Sequence, residues 1–190
     1  MGVKKTANVI WDLHEEFDFQ IYSDPLDLEN AIIGKVKDGN TGRITVGFCW
    51  NWSDPDKEGN LIDDVHVGSY HRPWNAKSDA IHLKPNIPKA SVWAYDPNGM
   101  NQVGCIYTAQ GFEFDYVGVI FGKDLIYRFE KGWVGHPEES KDTVVKRSKD
   151  QFLELVKNTY RVLLSRGMKG CYVHFMDKET ENYFKSRMEM

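Results

Sequence analysis

Strand-like and helical periodicities alternate along this 190-residue chain, and that order limits it to a few folds. Residues 17–22 alternate and are rich in aromatics, which reads as a strand. Asp24-Pro25 then opens a helix, with Asp24 as N-cap and Pro25 at the first helical position. Leu28, Ile32 and Val36 recur on one face of it, and Asp38-Gly39-Asn40 ends it. Residues 43–50 form a second strand, with Val46, Phe48 and Trp50 sharing a face. Strand, helix, strand is a βαβ unit and points to an α/β fold with a mainly parallel sheet.

The rhythm breaks over residues 51–90, where turn signals such as Asp54-Pro55-Asp56 and His71-Arg72-Pro73 surround short strands at 61–70. This stretch reads as an insertion carrying a β-hairpin within one domain spanning 1–190. Its aromatics, with Trp50, Trp52, Tyr70, Trp74 and Trp93 in and around it, suit a satellite core; stacking on nucleic-acid bases is the alternative. The α/β rhythm returns with strands at 104–107, 116–121 and 125–129 and a turn-rich linker through Gly132, Gly135 and Pro137. Ser148 with Gln151 forms a capping box for a helix presenting Leu153, Val156, Tyr160 and Leu163, which stops near Gly167. Residues 170–175 are a strand and 177–187 a terminal helix.

Composition, at 41% hydrophobic and 27% charged, excludes disordered and collagen-like classes. No apolar run approaches the roughly 20 residues of a membrane helix, and Met1 to Lys5 lack a signal-peptide core, so a cytoplasmic, membrane-free protein is expected. Cys49, Cys105 and Cys171 each lie in an apolar, strand-like run and read as buried free thiols of a reducing compartment. No Cys or His pair has metal-ligand spacing, so no metal site is expected. The net charge of −4 argues mildly against a nucleic-acid binder, yet residues 141–190 carry 11 Lys/Arg against 7 Asp/Glu. That basic third suits a phosphate-contacting face or a solvated surface alike.

The chain has no Gly-x-x-x-x-Gly-Lys-Ser/Thr, so no loop in it cradles a triphosphate or seats its magnesium. Asp124, after an apolar strand, therefore is not read as a metal-binding carboxylate. Arg166, at a helix C-terminus, either caps the last carbonyls or supplies positive charge to a transferring phosphoryl group. In Gln110-Gly111-Phe112-Glu113, Gly111 lets the backbone approach a ligand closely and Glu113 suits a ribose hydroxyl; a solvated turn is the alternative. In a parallel sheet both segments are expected where strands hand over to loops, the edge where ligands bind.

Gln110-Gly111-x-Glu113-x-Asp115 before an apolar strand resembles motif V of superfamily 1 helicases, and Tyr160-x-Val162-x-Leu164-Ser165-Arg166 resembles their motif VI. The run 101–177 resembles the C-terminal part of the Schlafen-type helicase domain of bacterial ATPases, and the likeness extends weakly to 19–36. The resemblance implies the second RecA-like lobe, a three-layer α/β/α domain, of a nucleic-acid-dependent ATPase, helicase or translocase. It implies that ATP and Mg2+ bind through an N-terminal RecA-like lobe, this chain's partner, and that the isolated chain is inactive. Arg166 would contact the γ-phosphate as the catalytic arginine finger. Gln110, Gly111 and Glu113 would contact nucleotide, and Thr108 and Gln110 single-stranded DNA or RNA. The Thr that the family places five residues before its Gln is Cys105 here, with Thr108 a substitute for its strand contact. The family's other phosphate-contacting Arg has no candidate in residues 1–18, which suggests that the chain starts just after that motif. A stand-alone single-strand-binding or protein-interaction domain is the alternative.

Overall fold

A computed structural model describes residues 17–188; the readings made on residues 1–16 lie outside the described residues. The chain runs β1 (Asp18–Ile21), α1 (Pro25–Lys37), β2 (Gly42–Val46), β3 (Val65–Val67), β4 (Tyr70–Arg72), β5 (Val103–Gly104) and α2 (Ile106–Ala109). It continues through β6 (Phe114–Phe121), β7 (Leu125–Arg128), β8 (Gly132–Gly135), α3 (Thr143–Arg147), α4 (Phe152–Leu164), β9 (Gly167–Phe175) and α5 (Lys178–Lys185). Five strands make one sheet in the order β1-β9-β6-β2-β5, every neighbouring pair parallel. The βαβ unit expected at the start is thus split: β9 and β6 lie between β1 and β2.

Alternation along the strands builds two cores. Val117, Val119 and Phe121 of β6, with Cys171, Val173 and Phe175 of β9, face Phe152, Val156, Tyr160 and Leu163 of α4. Ile120 and Tyr172 turn the other way with Ile44 and Val46, against Leu28 and Ile32 of α1. Each large apolar side chain buried this way contributes about 1.5–3 kcal/mol, so the sheet is held from both sides. The result is the expected RecA-like α/β/α fold. Among the described residues no helix is long and apolar enough to cross a membrane.

Asp24 caps α1 as expected, accepting from the Leu26 amide at 2.7 Å, with Pro25 at the first helical position. The insertion does carry a hairpin, β3–β4. Its return strand runs on to the edge of the main sheet, where Asn75 donates its amide to the Val103 carbonyl at 2.9 Å. Trp74 and Trp93 are fully buried and Tyr70 nearly so, which fits the core reading for these three.

Several local expectations need correction. The strand expected at 43–50 stops at Val46, because Cys49 donates to Gly47 and turns the chain out of the sheet. The strand expected at 104–107 lasts only to Gly104; the Cys105 amide donates to the Thr108 hydroxyl at 2.9 Å and winds residues 106–109 into α2. The turn-rich linker holds β8, paired antiparallel with β7. The Ser148–Gln151 capping box does not form: the Ser148 hydroxyl donates back to Val145 at the end of α3, and α4 starts without a side-chain cap. Gly167, expected as a helix stop, instead opens β9. Cys105 and Cys171 are buried free thiols, whereas Cys49 is only half-buried by exposure.

Candidate functional site

The sheet's amino edge brings the two motif segments together. Arg166 directly precedes β9 and the Gln110–Glu113 turn directly precedes β6, with Phe114 opposite Gly167 in the register. Both therefore stand where loops hand over to strands, at the opposite edge from the one expected. Chain direction is the reason: each motif comes before its strand. At the carboxyl edge, where ligands more often bind in such sheets, Asp124 beyond β6 is 2% exposed and bonded to Tyr160, and α2 follows the end of β5.

The half-buried guanidinium of Arg166 is fixed by three contacts. Nε donates to the Val162 carbonyl at 3.0 Å, one NH2 group to the Phe112 carbonyl at 3.3 Å and the other to the Ser165 hydroxyl at 3.4 Å. The first adds to the Val162 carbonyl in the last turn of α4, which also accepts from the Ser165 amide at 3.2 Å and hydroxyl at 3.0 Å, so Arg166 shares in closing the helix end. The second reaches outside the helix to the motif turn. The Phe114 amide also donates to the Arg166 carbonyl at 2.8 Å, so both chain neighbours of Glu113 are bonded to Arg166. Among the described residues no carboxylate pairs with Arg166.

Gly111 has φ +90°, and a Cβ there would meet no atom within 4 Å; the glycine serves the backbone conformation and not tight packing. Glu113 is exposed and makes no hydrogen bond or ion pair among the described residues. Asp115, which shared the acidic motif, is spent on structure. It accepts from the Thr41 amide at 2.8 Å and pairs with Lys169 at 3.0 Å, clasping β2, β6 and β9 at their amino ends. The Thr41 amide first, then Lys169, hold its carboxyl below the ordinary range. Nothing in the sequence marked that clasp, since its partners lie 74 and 54 positions away.

Thr108 and Gln110 open onto a groove of about 620 Å³. Tyr107 and Phe112 complete that wall; Trp52, Lys77 and Asp79 of the insertion line the other. The Thr108 hydroxyl is occupied, since it accepts from Cys105 N and donates to Cys105 O. The exposed Gln110 side chain has no partner among the described residues. Tyr107, 51% exposed, donates its hydroxyl to the buried Asp142 at 2.7 Å. Trp52 stands among the aromatics for which the sequence offers base stacking as the alternative, but Tyr107 reads there only as part of a strand, because only the return of the insertion to β5 sets the two across one groove.

A family model described as Schlafen group 3, DNA/RNA helicase domain, matches residues 1–177. The chain is 30% identical over 194 residues to the uncharacterized Saccharomyces cerevisiae protein YPL245W, an alignment covering 93% of this chain and 38% of that protein. The chain thus spans well under half of its relative's length. No solved structure matches it. With nearly all of its length matched by that family model and a parallel α/β sheet beneath, the chain belongs to the Schlafen group 3 DNA/RNA helicase domain family.

Proposed function

We propose that this chain is the second RecA-like lobe of a nucleic-acid-dependent ATPase, closing over ATP and Mg2+ held by a partner lobe that carries the phosphate-binding loop. The observation that carries the reading is Arg166: a positioned guanidinium with no acid partner among the described residues, bonded to the Phe112 carbonyl, while the Arg166 main-chain carbonyl accepts from the Phe114 amide on the other side of Glu113. A cation already anchored by carbonyls reorganises little when negative charge develops near it, which is what phosphoryl transfer requires. Hydrolysis of the terminal phosphoanhydride is then the partner lobe's chemistry, and Arg166 stabilises the charge spread over the transferring oxygens. Glu113, exposed and unpaired beside it, is free to accept from a ribose hydroxyl. Single-stranded DNA or RNA passes Thr108 and Gln110 in the groove that they line.

The test is nucleic-acid-stimulated ATP hydrolysis by a polypeptide holding this chain and the phosphate-binding lobe, with and without Arg166→Ala. A loss of about 10³-fold supports the reading. Unimpaired turnover refutes it.

A further inference from the structure

We propose that the groove between α2 and the insertion is a base-stacking channel for single-stranded nucleic acid, with Tyr107 as the platform on one wall and Trp52 on the other. The proposal rests on the motor-lobe reading only for the identity of the occupant. The site itself is built from rings whose polar atoms are already committed. Tyr107 is held through its hydroxyl by Asp142, which is 6% exposed and also accepts from the Val144 and Val145 amides at 3.0 Å. Trp52 is held through Nε1, which donates to the Asn75 carbonyl at 2.9 Å. Phe48 sits between them, 6.1 Å from each ring centroid, and stacks on the buried Trp74 behind. Rings pinned in this way lose little freedom on binding.

The row continues past Gln110. Phe112 lines the groove and carries Tyr95, 70% exposed, edge-on at 5.3 Å. A polymer of flat, repeating units matches such a row, since every base offers a π face whatever the sequence. The charges fit the same mode. Lys77 already pairs with Asp54 at 2.7 Å, and Asp79 lines the same wall. Phosphate attraction is therefore weak here, and the strand is held by its bases.

The experiment titrates this chain, without ATP, with a fluorescein-labelled oligothymidylate across a range of salt. It then irradiates the complex formed with a 5-iodouracil-substituted strand. The channel predicts adducts on Tyr107 or Trp52 of the wild-type protein, which needs no variant to fold. It predicts about tenfold or greater weakening in Tyr107→Ala, with most affinity kept in Tyr107→Phe. The slope of log affinity on log salt should stay near that of one phosphate contact, about −0.7. Absent binding at low salt, adducts confined to residues 141–190, a steep salt slope, or unchanged affinity in Tyr107→Ala would each overturn it. Because the readout is binding without ATP, the channel can fail while Arg166-dependent hydrolysis holds, and the reverse.

Discussion

The hydroxyl of Tyr160 donates to Oδ1 of Asp124 at 2.6 Å and accepts from the Gly122 amide at 2.9 Å, all three groups buried. Tyr160 thereby pins α4, which ends at Leu164 just before Arg166, to the far end of β6, while its ring stacks on Phe121 at 3.7 Å. The room for this comes from Gly47, where a Cβ would overlap the Tyr160 hydroxyl.

Tyr160→Phe should therefore cost about 1–3 kcal/mol of stability, because a buried carboxyl and a buried amide both lose a partner. Burial raises the Asp124 carboxyl above its ordinary 3.8, and the Tyr160 bond opposes that rise. Removing the bond raises it further, so the deficit is largest where the carboxyl is ionised. Chemical denaturation should show the gap between variant and wild type shrinking as pH falls toward the ordinary carboxyl range; a gap independent of pH would contradict it.

Gly111→Ala should lose roughly 1 kcal/mol by thermal unfolding, from backbone strain alone. Its φ of +90° is the reason, since the added methyl meets no atom within 4 Å. A neutral effect would mean that the turn relaxes to another conformation, which would displace the carbonyl that Arg166 grips.

Acid should loosen the α5 end of the domain first. Asp177 accepts from Arg128 at 2.8 and 2.9 Å and caps α5 by accepting from the Thr180 amide at 2.9 Å. Burial alone would raise its carboxyl, but bonds from Arg128 and Thr180 outweigh that and hold it down at about 2. Its folded value lies below the ordinary 3.8, so its stabilisation is present above that pH and is lost as pH falls through about 2. The protection factors of the α5 amides, that is exchange relative to the intrinsic rate at each pH, should fall from pH 5 to pH 2 in the wild type and far less in Asp177→Asn. Protection factors equally independent of pH in both would contradict it.

What the sequence made legible was local. Asp24-Pro25 starts α1 because side chain, proline ring and apolar spacing all agree within one turn. Ser148 misled because its hydroxyl had a nearer acceptor, Val145, at the end of a five-residue helix too short to show a period. Residues 132–135 read as linker because glycines bracket only two apolar residues; their pairing with β7 makes them a strand. The motif residues Gln110, Gly111, Glu113 and Arg166 could be picked out, and the chain does bring them to one edge. The wall facing Thr108 and Gln110 could not, since it depends on a hairpin returning to β5 from some thirty residues away.

The most direct measurement pairs ATP turnover with thermal stability for Arg166→Ala, in a polypeptide that joins this chain to the phosphate-binding lobe proposed for it. If Arg166 serves the transferring phosphoryl group, turnover falls by about 10³-fold while stability drops by no more than the roughly 1 kcal/mol of a lost cap. If it serves only α4, stability falls by that amount and turnover is retained, and the motor-lobe reading of this residue is wrong.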